Sequence, residues 1–404
     1  MIENQRPYQL MLSKTGIPAL SKAVALGAKA CGVGLCAVKG LFAHGTEPLP
    51  EEACDRALLS SLCPKPAEEP LPVPPLPPED GQTDVTVIVP AYNAEKYIQP
   101  CVESILGQQT EYALQLVLVD DASADRTREL VQSYAGKENV TVVHLAKPQG
   151  GSAAKARNVG LLQAKGRYVM FVDSDDCLAP GAVQTLLDAA RAMNADIVQG
   201  AWQYMDENSC TGAVQRYVPG LYTESKRLDC LDLPGMPWGK IYRRALFEDV
   251  RFPSNYTCFE DAIIHFLVFR KAARIAVVND MVYLWRKNSA GITATNQHKP
   301  AAVQSYWVVE ELLRQDAQLR LPHDVLYARS LTMQLSNFCY VNVAGLAEDR
   351  QRAVFFLCCR LFAANVPAAM THSMPYAIAC GAKALKKHRF RLWQLQGQLY
   401  QLMR

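Results

Sequence analysis

Residues 168–176 read YVMFVDSDD, in which five apolar residues are followed directly by three acids and one serine. The apolar run has the length and the β-branched and aromatic content of a buried strand. The acids could cap the next helix, but that helix is predicted to begin only near Pro180, and a cap needs one acid. Mg²⁺ and Mn²⁺ bind carboxylate oxygens together with phosphate oxygens. The stretch therefore predicts a strand that ends at a metal–diphosphate site.

Three more strands are predicted before residue 168, and each is separated from the next by a helical pattern. They are residues 85–89, 114–119 and 140–145. Strands that alternate with helices in this way form right-handed crossovers and a doubly wound sheet. We therefore predict an α/β fold whose sheet is mostly parallel.

Polar side chains collect where the predicted strands end. Tyr92 and Asn93 follow the first strand, and Asp120 and Asp121 follow the second. In doubly wound sheets, ligands bind beyond the carboxyl ends of the strands. Crowded carboxylates repel one another unless a cation or the donors of a ligand balance their charge. For Asp121 alone two roles remain open, which are a hydrogen bond to a base or ribose and the capping of a turn with Ser123.

The composition is that of a globular protein with ample material for a core. Of the 404 residues, 50% are hydrophobic and 20% are charged, which excludes disorder, collagen and small disulfide scaffolds. Thirteen cysteines without C-x-x-C spacing indicate free thiols in a reducing cytoplasm. No run of about 18 uncharged apolar residues occurs, so we expect no membrane-spanning helix.

A proline-rich stretch divides the chain, because eight of the fifteen residues 64–78 are proline. Such a stretch favours an extended conformation and acts as a semi-rigid spacer. We predict four segments, which are a helical N-terminal extension (1–63), a proline-rich linker (64–80), an α/β domain (81–298) and a helical C-terminal domain with a basic tail (299–404).

The tail is basic, since nine lysine and arginine residues and no acidic residue follow Asp349. Five of these basic residues lie within residues 383–391, shortly before Trp393, Tyr400 and several leucines. The pattern is typical of an interfacial helix on an anionic membrane, and equally of a bundle helix with a solvated basic face. The net charge of the whole chain is only +3, which disfavours a general nucleic-acid binder.

Four motifs occur in order along the predicted α/β domain. They are VIVPAYN at 87–93, VDDASAD at 119–125, ARNVG at 156–160 and FVDSDD at 171–176. Together they closely resemble the motifs of the family-2 glycosyltransferases, over about residues 84–295. The resemblance implies the glycosyltransferase A fold, a nucleotide-sugar donor and a divalent cation, Mg²⁺ or Mn²⁺.

The resemblance also implies roles for residues at the edge of the predicted sheet. Tyr92 would stack on the base of UDP, Asp121 would bond uracil, and Arg157 would face the base or the diphosphate. Of the metal-binding pair, Asp175 would be the direct ligand and Asp173 would also face the ribose. The donor and metal sites would comprise Pro90, Ala91, Tyr92, Asn93, Asp121, Arg157, Asp173, Ser174, Asp175 and Arg286.

Residues 259–264 read FEDAII and predict the start of a helix. By spacing alone, two acids at this place are helix caps. The resemblance instead implies that Asp261 is the base that accepts the proton of the acceptor hydroxyl, while Glu260 orients it or binds the acceptor. The anomeric carbon would become oxocarbenium-like and be attacked from the face opposite the leaving diphosphate, so that configuration inverts.

Two further segments have roles that the resemblance implies and the residues alone leave open. In PWGKIYRR at 237–244, Trp238 and Lys240 would lie on the acceptor side with the indole against a sugar ring, or belong to an amphipathic strand with solvated arginines. In YLWRKNS at 283–289, Arg286 would clamp the diphosphate or be a surface arginine.

The sequence thus predicts a cytoplasmic, inverting, non-processive glycosyltransferase that uses a UDP-sugar and serves the assembly of cell-envelope polysaccharide. Its acceptor would be a glycan or a lipid-linked glycan, and the tail would place it on the inner face of the plasma membrane if it binds anionic lipid. One alternative is a non-catalytic subunit that binds a nucleotide-sugar or a glycan. A sugar nucleotidyltransferase is disfavoured, because it requires a glycine-rich basic loop where Pro90 and Ala91 stand.

Overall fold

The computed structural model describes residues 45–146, 152–206, 209–288, 299–371, 374 and 376–403. The N-terminal helices predicted before residue 45 and Ser289 at the end of the Arg286 segment lie outside these ranges. The chain forms two compact units. The α/β unit consists of Ala67–Ile292 and Glu311–Leu321, and the helical unit takes its described residues from Met1–Pro66, Thr293–Glu310 and Pro322–Arg404.

The described part of the α/β unit contains a ten-stranded sheet. In chain order the strands are β1 (Val85–Ala91), β2 (Leu114–Asp120), β3 (Val140–His144), β4 (Tyr168–Phe171), β5 (Cys177–Leu178), β6 (Ile197–Met205), β7 (Cys210–Gln215), β8 (Gly220–Thr223), β9 (Lys240–Arg243) and β10 (Arg274–Arg286). The strand order is β3-β2-β1-β4-β9-β6-β10-β5, with β7 paired to β6 and β8 paired to β10.

Helices of both units are numbered together along the described chain. They are α1 (Glu52–Leu62), α2 (Ile98–Leu106), α3 (Thr127–Gln132), α4 (Ala154–Gln163), α5 (Ala182–Met193), α6 (Phe269–Lys271), α7 (Gln304–Leu319), α8 (Val325–Met333), α9 (Cys339–Val343), α10 (Glu348–Asn365), α11 (Tyr376–Lys386) and α12 (Phe390–Met403). A π-helical turn at Ile264–Val268 leads into α6, and another at Gln334–Phe338 leads into α9.

The first half of the sheet forms as the sequence predicts. β1 pairs in parallel with β2 and β4, and β2 pairs in parallel with β3. Every residue of β1 is buried, which explains its nearly unbroken apolar sequence, because a strand covered by helices on both faces needs no polar side. Val87 and Val89 belong to one core cluster with Ile98 and Val102 of α2.

The second half of the sheet is mixed, which corrects the expectation of a mostly parallel arrangement. β9 lies between β4 and β6 and is antiparallel to both. β10 is parallel to β6. Since β4 and β6 are both antiparallel to β9, they are parallel to each other. Strands β6 and β10 therefore run in the same direction as β1, β2 and β4. The carboxyl ends of these five strands therefore lie at one edge of the sheet.

The helical unit buries two aromatic residues of α12. Phe390 and Trp393 of α12 are fully buried, and the Trp393 ring packs against Phe355 of α10 with 5.4 Å between centroids. Lys383 and Lys386 of α11 are exposed. The two enclosed rings agree with the bundle-helix interpretation, whereas Tyr400 of the same helix is only partly buried. None of the helices in the described ranges is both long and apolar enough to cross a bilayer.

Gly160 provides a test of the contact between α4 and β1. A Cβ atom at this position would lie 2.3 Å from Cγ2 of Ile88, a stiff β-branched side chain in a buried strand. We expect Gly160→Ala to lower the free energy of unfolding by about 1–3 kcal/mol in urea titrations. Leu162→Ala, at an exposed position of the same helix, should change it by less than about 0.5 kcal/mol. Equal unfolding midpoints for the two variants would contradict the close packing.

Candidate active site

The segments that carry the predicted site residues meet at the carboxyl edge of the sheet. Tyr92 follows β1, Asp121 follows β2 and Asp173 follows β4 with one residue between. These three strands are parallel neighbours in the order β2-β1-β4. The sequence pattern placed the donor site at this edge, and the topology brings the three segments together there.

The loops after β1 and β2 fix each other by reciprocal hydrogen bonds. The backbone N–H of Asn93 donates to Ser123 Oγ (3.1 Å), and the N–H of Ala124 donates to Asn93 Oδ1 (2.9 Å). Asn93 adopts a left-handed φ of 46°, which asparagine tolerates better than most residues. Pro90 and Ala91 are buried at the end of β1, whereas the Tyr92 side chain is 47% exposed. The loops therefore form a fixed frame with an accessible aromatic ring.

The two acids after β2 have different surroundings. Asp120 is fully buried, and its carboxylate accepts a hydrogen bond from the N–H of Ser123 (3.1 Å) and lies 3.2 Å from His144 Nδ1. Asp120 therefore holds the loop together. Asp121 is 5% exposed, and its own N–H donates to the carbonyl of Ala91 (2.8 Å). This bond ties Asp121 to the end of β1, beside the predicted nucleotide pocket.

The acids after β4 also divide into two kinds. Asp173, Ser174 and Asp175 are partly exposed, whereas Asp176 is 1% exposed. The Asp176 carboxylate accepts hydrogen bonds from the Tyr283 hydroxyl (2.7 Å) and from the backbone N–H of Arg286 (2.7 Å). Burial, together with the neighbouring acids, raises the pKa of Asp176. Asp176 thus anchors the acidic turn to β10, whereas the other two acids are partly exposed.

Asp175 is held from both its backbone and its side chain. The Arg286 Nε donates to its carbonyl (2.7 Å), and the Asn288 amide donates to its Oδ2 (3.0 Å). Burial raises the pKa of Asp175, the charge of Asp173 adds to this rise, and the Asn288 bond opposes it. Arg286 is 6% exposed and braces the acidic turn, so its predicted contact with a diphosphate would have to be made from within this arrangement.

Arg157 of α4 brings three carboxylates together. Its Nη2 donates to Asp173 Oδ1 (2.8 Å), and its Nη1 donates to Asp261 Oδ1 (2.8 Å) and to Glu260 Oε1 (3.1 Å). The guanidinium is 3% exposed and lies 5.5 Å from the Phe252 ring centroid. Burial alone would lower the pKa of Arg157, but the three acids outweigh it and raise the pKa. One buried cation therefore joins the predicted metal motif to the predicted base.

Asp261 combines a raised pKa with a partly exposed side chain. Loss of hydration, the largest effect, raises its pKa to about 7 against the attraction of Arg157, and the charges of Glu260 and Asp173 add to the rise while Lys240 opposes it. A base is most effective when its pKa lies near the working pH. The Asp261 side chain is 35% exposed, so an acceptor hydroxyl can reach it, whereas Glu260 is 8% exposed.

The backbone around Asp261 is unusual on both sides. Phe259 has a φ of 71°, a left-handed conformation that is rare for a bulky residue and persists only where the surroundings enforce it. Three residues after Asp261, the π-helical turn Ile264–Val268 begins. Such turns occur frequently at functional sites. The acids stand at the start of a helical segment as predicted, and a strained turn sets their direction.

Trp238 and Lys240 do not lie where an acceptor could contact them. Trp238 is 2% exposed and stacks on Tyr283 with 4.6 Å between centroids and 7° between planes. Lys240 is fully buried, and its Nζ donates to the carbonyls of Met236 (2.7 Å) and Trp238 (3.4 Å). Burial lowers the pKa of Lys240 to about 7, against the attraction of Asp261. The predicted contact of the Trp238 indole with a sugar is therefore corrected, because the ring is enclosed by protein.

Asp173 and Asp175 fit a divalent cation that is completed by a ligand. Within the described ranges, no group of three or more His, Cys, Asp and Glu side chains is placed to hold a metal ion. Mg²⁺ commonly uses one or two protein carboxylates and takes its other ligands from phosphates and water. Burial, the largest effect, and the charge of Asp173 raise the pKa of Asp175, and a bound cation would favour the ionised form of this carboxylate. The donor set is thus suited to a metal that arrives with a diphosphate.

Three residues that support the site were not predicted in this role. Tyr283 bonds Asp176 and accepts the N–H of Asp173 (3.1 Å), Asn288 bonds Asp175, and Ser123 bonds Asn93. Tyr283 and Asn288 lie within the YLWRKNS segment that drew attention through Arg286. The hydroxyl of Tyr283 in β10 and the amide of Asn288 just beyond its end were the available signal.

Comparison with known proteins identifies the class. The sequence model of the family described as Glycosyl transferase family 2 matches residues 86–251. Glycosyltransferase GlyG of Streptococcus pneumoniae is 32% identical over 226 residues, which are 52% of this chain and 73% of GlyG. The chain therefore belongs to the family-2 glycosyltransferases, as the motifs predicted.

Two further similar proteins are EpsJ and TarS. The glycosyltransferase EpsJ of Bacillus subtilis, described as uncharacterized, is 31% identical over 54% of this chain and 64% of its own length. The crystal structure of residues 1–349 of Staphylococcus aureus TarS in complex with UDP has a TM-score of 0.61 at 24% identity, and the match covers 79% of this chain and 91% of the TarS chain. This likeness confirms the glycosyltransferase A fold. In sequence, the match to TarS spans only 36% of the full TarS protein.

The shared contact of Arg157 with three carboxylates predicts a large cost for its removal. Arg157→Met would leave three buried or half-buried acids without their counter-charge, and we expect the free energy of unfolding to fall by about 3–5 kcal/mol. The loss for Arg157→Lys should be smaller than for Arg157→Met but still measurable, because one ammonium group cannot reach all three acids. Arg126→Met, which removes an ion pair exposed by 75% or more on each side, is the control and should cost less than about 1 kcal/mol. Urea titrations would measure the stability of all three variants. An unchanged unfolding midpoint for Arg157→Met would contradict the arrangement.

Proposed function

We propose that the chain transfers a sugar from a UDP-sugar to a hydroxyl group of a glycan or lipid-linked acceptor, with inversion at the anomeric carbon. Asp261 is the general base, and Asp173 and Asp175 hold a divalent cation, Mg²⁺ or Mn²⁺. The observation that carries this proposal is the convergence of Asp173, Glu260 and Asp261 on the buried Arg157. A donor motif and a base that are joined by one side chain can act on the same two substrates.

The first half of the sheet supports a UDP-sugar as donor. The exposed ring of Tyr92 can cover a pyrimidine base, and Asp121 lies at the end of the neighbouring strand. TarS, a poly(ribitol-phosphate) β-N-acetylglucosaminyltransferase that is 34% identical over 211 residues, has been crystallised with UDP and with UDP-GlcNAc. The relative thus favours a uridine nucleotide for this chain as well.

The base and its neighbours support a direct displacement. Asp261 takes the proton of the acceptor hydroxyl while the acceptor oxygen bonds to the anomeric carbon and the bond from that carbon to the diphosphate breaks. Glu260 raises the basicity of Asp261, and Arg157 keeps its carboxylate in place. A divalent cation at Asp173 and Asp175 would neutralise the charge of the leaving diphosphate.

The acceptor is proposed from the chemistry of the relatives. GlyG and EpsJ are described as glycosyltransferases, and TarS is described as a poly(ribitol-phosphate) β-N-acetylglucosaminyltransferase. A glycan or lipid-linked glycan in cell-envelope assembly agrees with this group. Contact of the exposed Lys383 and Lys386 with an anionic membrane surface, on the cytoplasmic side, remains part of the proposal.

Two substitutions separate metal-dependent donor binding from base catalysis. With a panel of UDP-sugars and Mn²⁺, Asp175→Ala should lose metal-dependent donor binding, because one of the two carboxylates is gone. Asp261→Asn should keep donor affinity and lose about 10²–10⁴-fold in turnover, measured as release of UDP by transfer or slow hydrolysis. Asp280→Asn, at an exposed acid of the same unit, is the matched control and should behave as wild type.

The same panel distinguishes the proposal from the non-catalytic alternative. Turnover of Asp261→Asn at the wild-type rate would remove Asp261 as the base. Wild-type protein that binds UDP-sugars and never releases UDP, with any acceptor tested, would indicate a binding subunit.

The pH dependence tests the electrostatic surroundings of Asp261. Since the base must be deprotonated and its pKa is about 7, kcat/KM should fall as the pH drops through about 7. The negative charge of Glu260 raises this pKa, so Glu260→Gln should lower it and move the acidic limb to lower pH. Rates measured between about pH 5 and pH 9 would show the shift. A limb that stays in place in Glu260→Gln, or moves to higher pH, would contradict the assignment.

A further inference from the structure

A cluster of aromatic side chains lies at the same edge of the sheet as the acids, on its other half. Tyr204 is next to the last residue of β6, and Trp285 is next to the last residue of β10. The two strands are parallel, and Tyr204 and Trp285 are paired in register. Because β6 and β10 run in the same direction as β1 and β4, both rings lie at the ligand-binding edge.

The cluster is continuous with the acidic turn. The Tyr283 hydroxyl bonds Asp176, and the Tyr283 ring stacks on Trp238. Trp238 in turn lies 5.5 Å from Trp285, which stacks on Tyr204 at 5.0 Å with 27° between the planes. Tyr204 and Trp285 are therefore only a few ring contacts away from the proposed metal motif. A rigid row of rings fixes that separation.

Exposure changes along this row. Tyr283 and Trp238 are buried, whereas Tyr204 and Trp285 are half-buried. The Lys287 ammonium lies 5.4 Å from the Tyr204 ring and is itself 54% exposed. A cation over a ring in such an exposed position is held weakly and can be displaced. The outer pair, which we name the Tyr204–Trp285 platform, thus offers aromatic surface at a site where the inner rings offer none.

We propose that the Tyr204–Trp285 platform binds a pyranose ring of the acceptor glycan. This inference rests on the proposed function and names the acceptor side of the same cleft. The donor half of the edge is formed by the loops after β1 and β2, so the half at β6 and β10 remains for the acceptor. A pyranose ring has an apolar C–H face that fits against an aromatic ring, with hydroxyl groups at its rim. Lys287 can then bond those hydroxyls.

The Tyr204–Trp285 platform predicts which acceptors the chain prefers. A flat sugar ring can cover an indole, whereas an open-chain alditol phosphate has no comparable face. The chain should therefore prefer an acceptor whose terminal unit is a pyranose over one that ends in ribitol phosphate. Trp238, which was predicted for this role, supports the platform from below and has no surface left for a sugar.

The test is titration of the full chain, with UDP and Mn²⁺ present, by isothermal calorimetry. The probes are cellotetraose, chitotetraose and ribitol 5-phosphate. We expect at least one tetrasaccharide to bind more tightly than ribitol 5-phosphate. Trp285→Ala and Tyr204→Ala should each weaken the affinity for that tetrasaccharide about tenfold. Trp285→Phe keeps an aromatic face and should retain most of the affinity. Val218→Ala, at a 60% exposed residue of the same unit, is the control and should bind as wild type.

UDP affinity and UDP-sugar hydrolysis are measured for each variant, and both should stay near wild type. If Trp285→Ala loses UDP affinity as well, it is misfolded, and Tyr204→Ala together with Trp285→Phe decides the question. The platform is refuted if a variant with intact UDP affinity binds the tetrasaccharides like wild type, if neither tetrasaccharide binds, or if ribitol 5-phosphate binds more tightly. If wild type releases no UDP from a UDP-sugar with any acceptor tested and the binding pattern still holds, the proposed transferase activity fails while the platform stands.

Discussion

A single buried guanidinium organises the polar centre of the α/β unit. Arg157 comes from α4, Asp173 from the turn after β4, and Glu260 and Asp261 from the strained turn before a π-helical segment. Removing a charge from water is costly, and it is compensated here only because three carboxylates surround it. The position of each acid therefore depends on the other two. This mutual dependence makes Arg157 and the three acids one unit, although Arg157 and the Glu260–Asp261 pair lie about a hundred residues apart in sequence.

The antiparallel strand β9 brings a second group of strand ends to the edge of the sheet that carries the acids. A strand antiparallel to both β4 and β6 lets β6 and β10 end at the same edge as β1 and β2. Acidic residues and Tyr92 follow the strands on one half of that edge, and Tyr204 and Trp285 lie near the strand ends on the other. The proposed donor is charged and the proposed acceptor is a neutral ring, and these two substrates need different surroundings. Asp261 is linked through Arg157 to Asp173 in the turn after β4.

Local patterns predicted much of this arrangement, and long-range contacts account for the rest. The run YVMFV followed by acids placed β4 and the acidic turn correctly, since strand length and the change to polar residues are local signals. The antiparallel pairing of β9 could not be predicted, because it depends on partners far away in sequence. Trp238 was misplaced for a related reason, since an indole that could face a sugar equally fits against Tyr283. The role of Arg157 was only half visible, because the residue type indicates an anion and leaves open which one.

The burial of Asp176 has a consequence for how mutational data on this acidic turn should be interpreted. Its carboxylate accepts from the Tyr283 hydroxyl and from the Arg286 backbone, and so it joins the turn to β10. An inactive Asp176 variant would therefore report a displaced scaffold and give no information about ligation. Neighbouring acids in one short motif can share the same loss-of-function phenotype while one coordinates and another only supports. Alanine scanning ranks such residues by their necessity, and only their contacts reveal what each contributes.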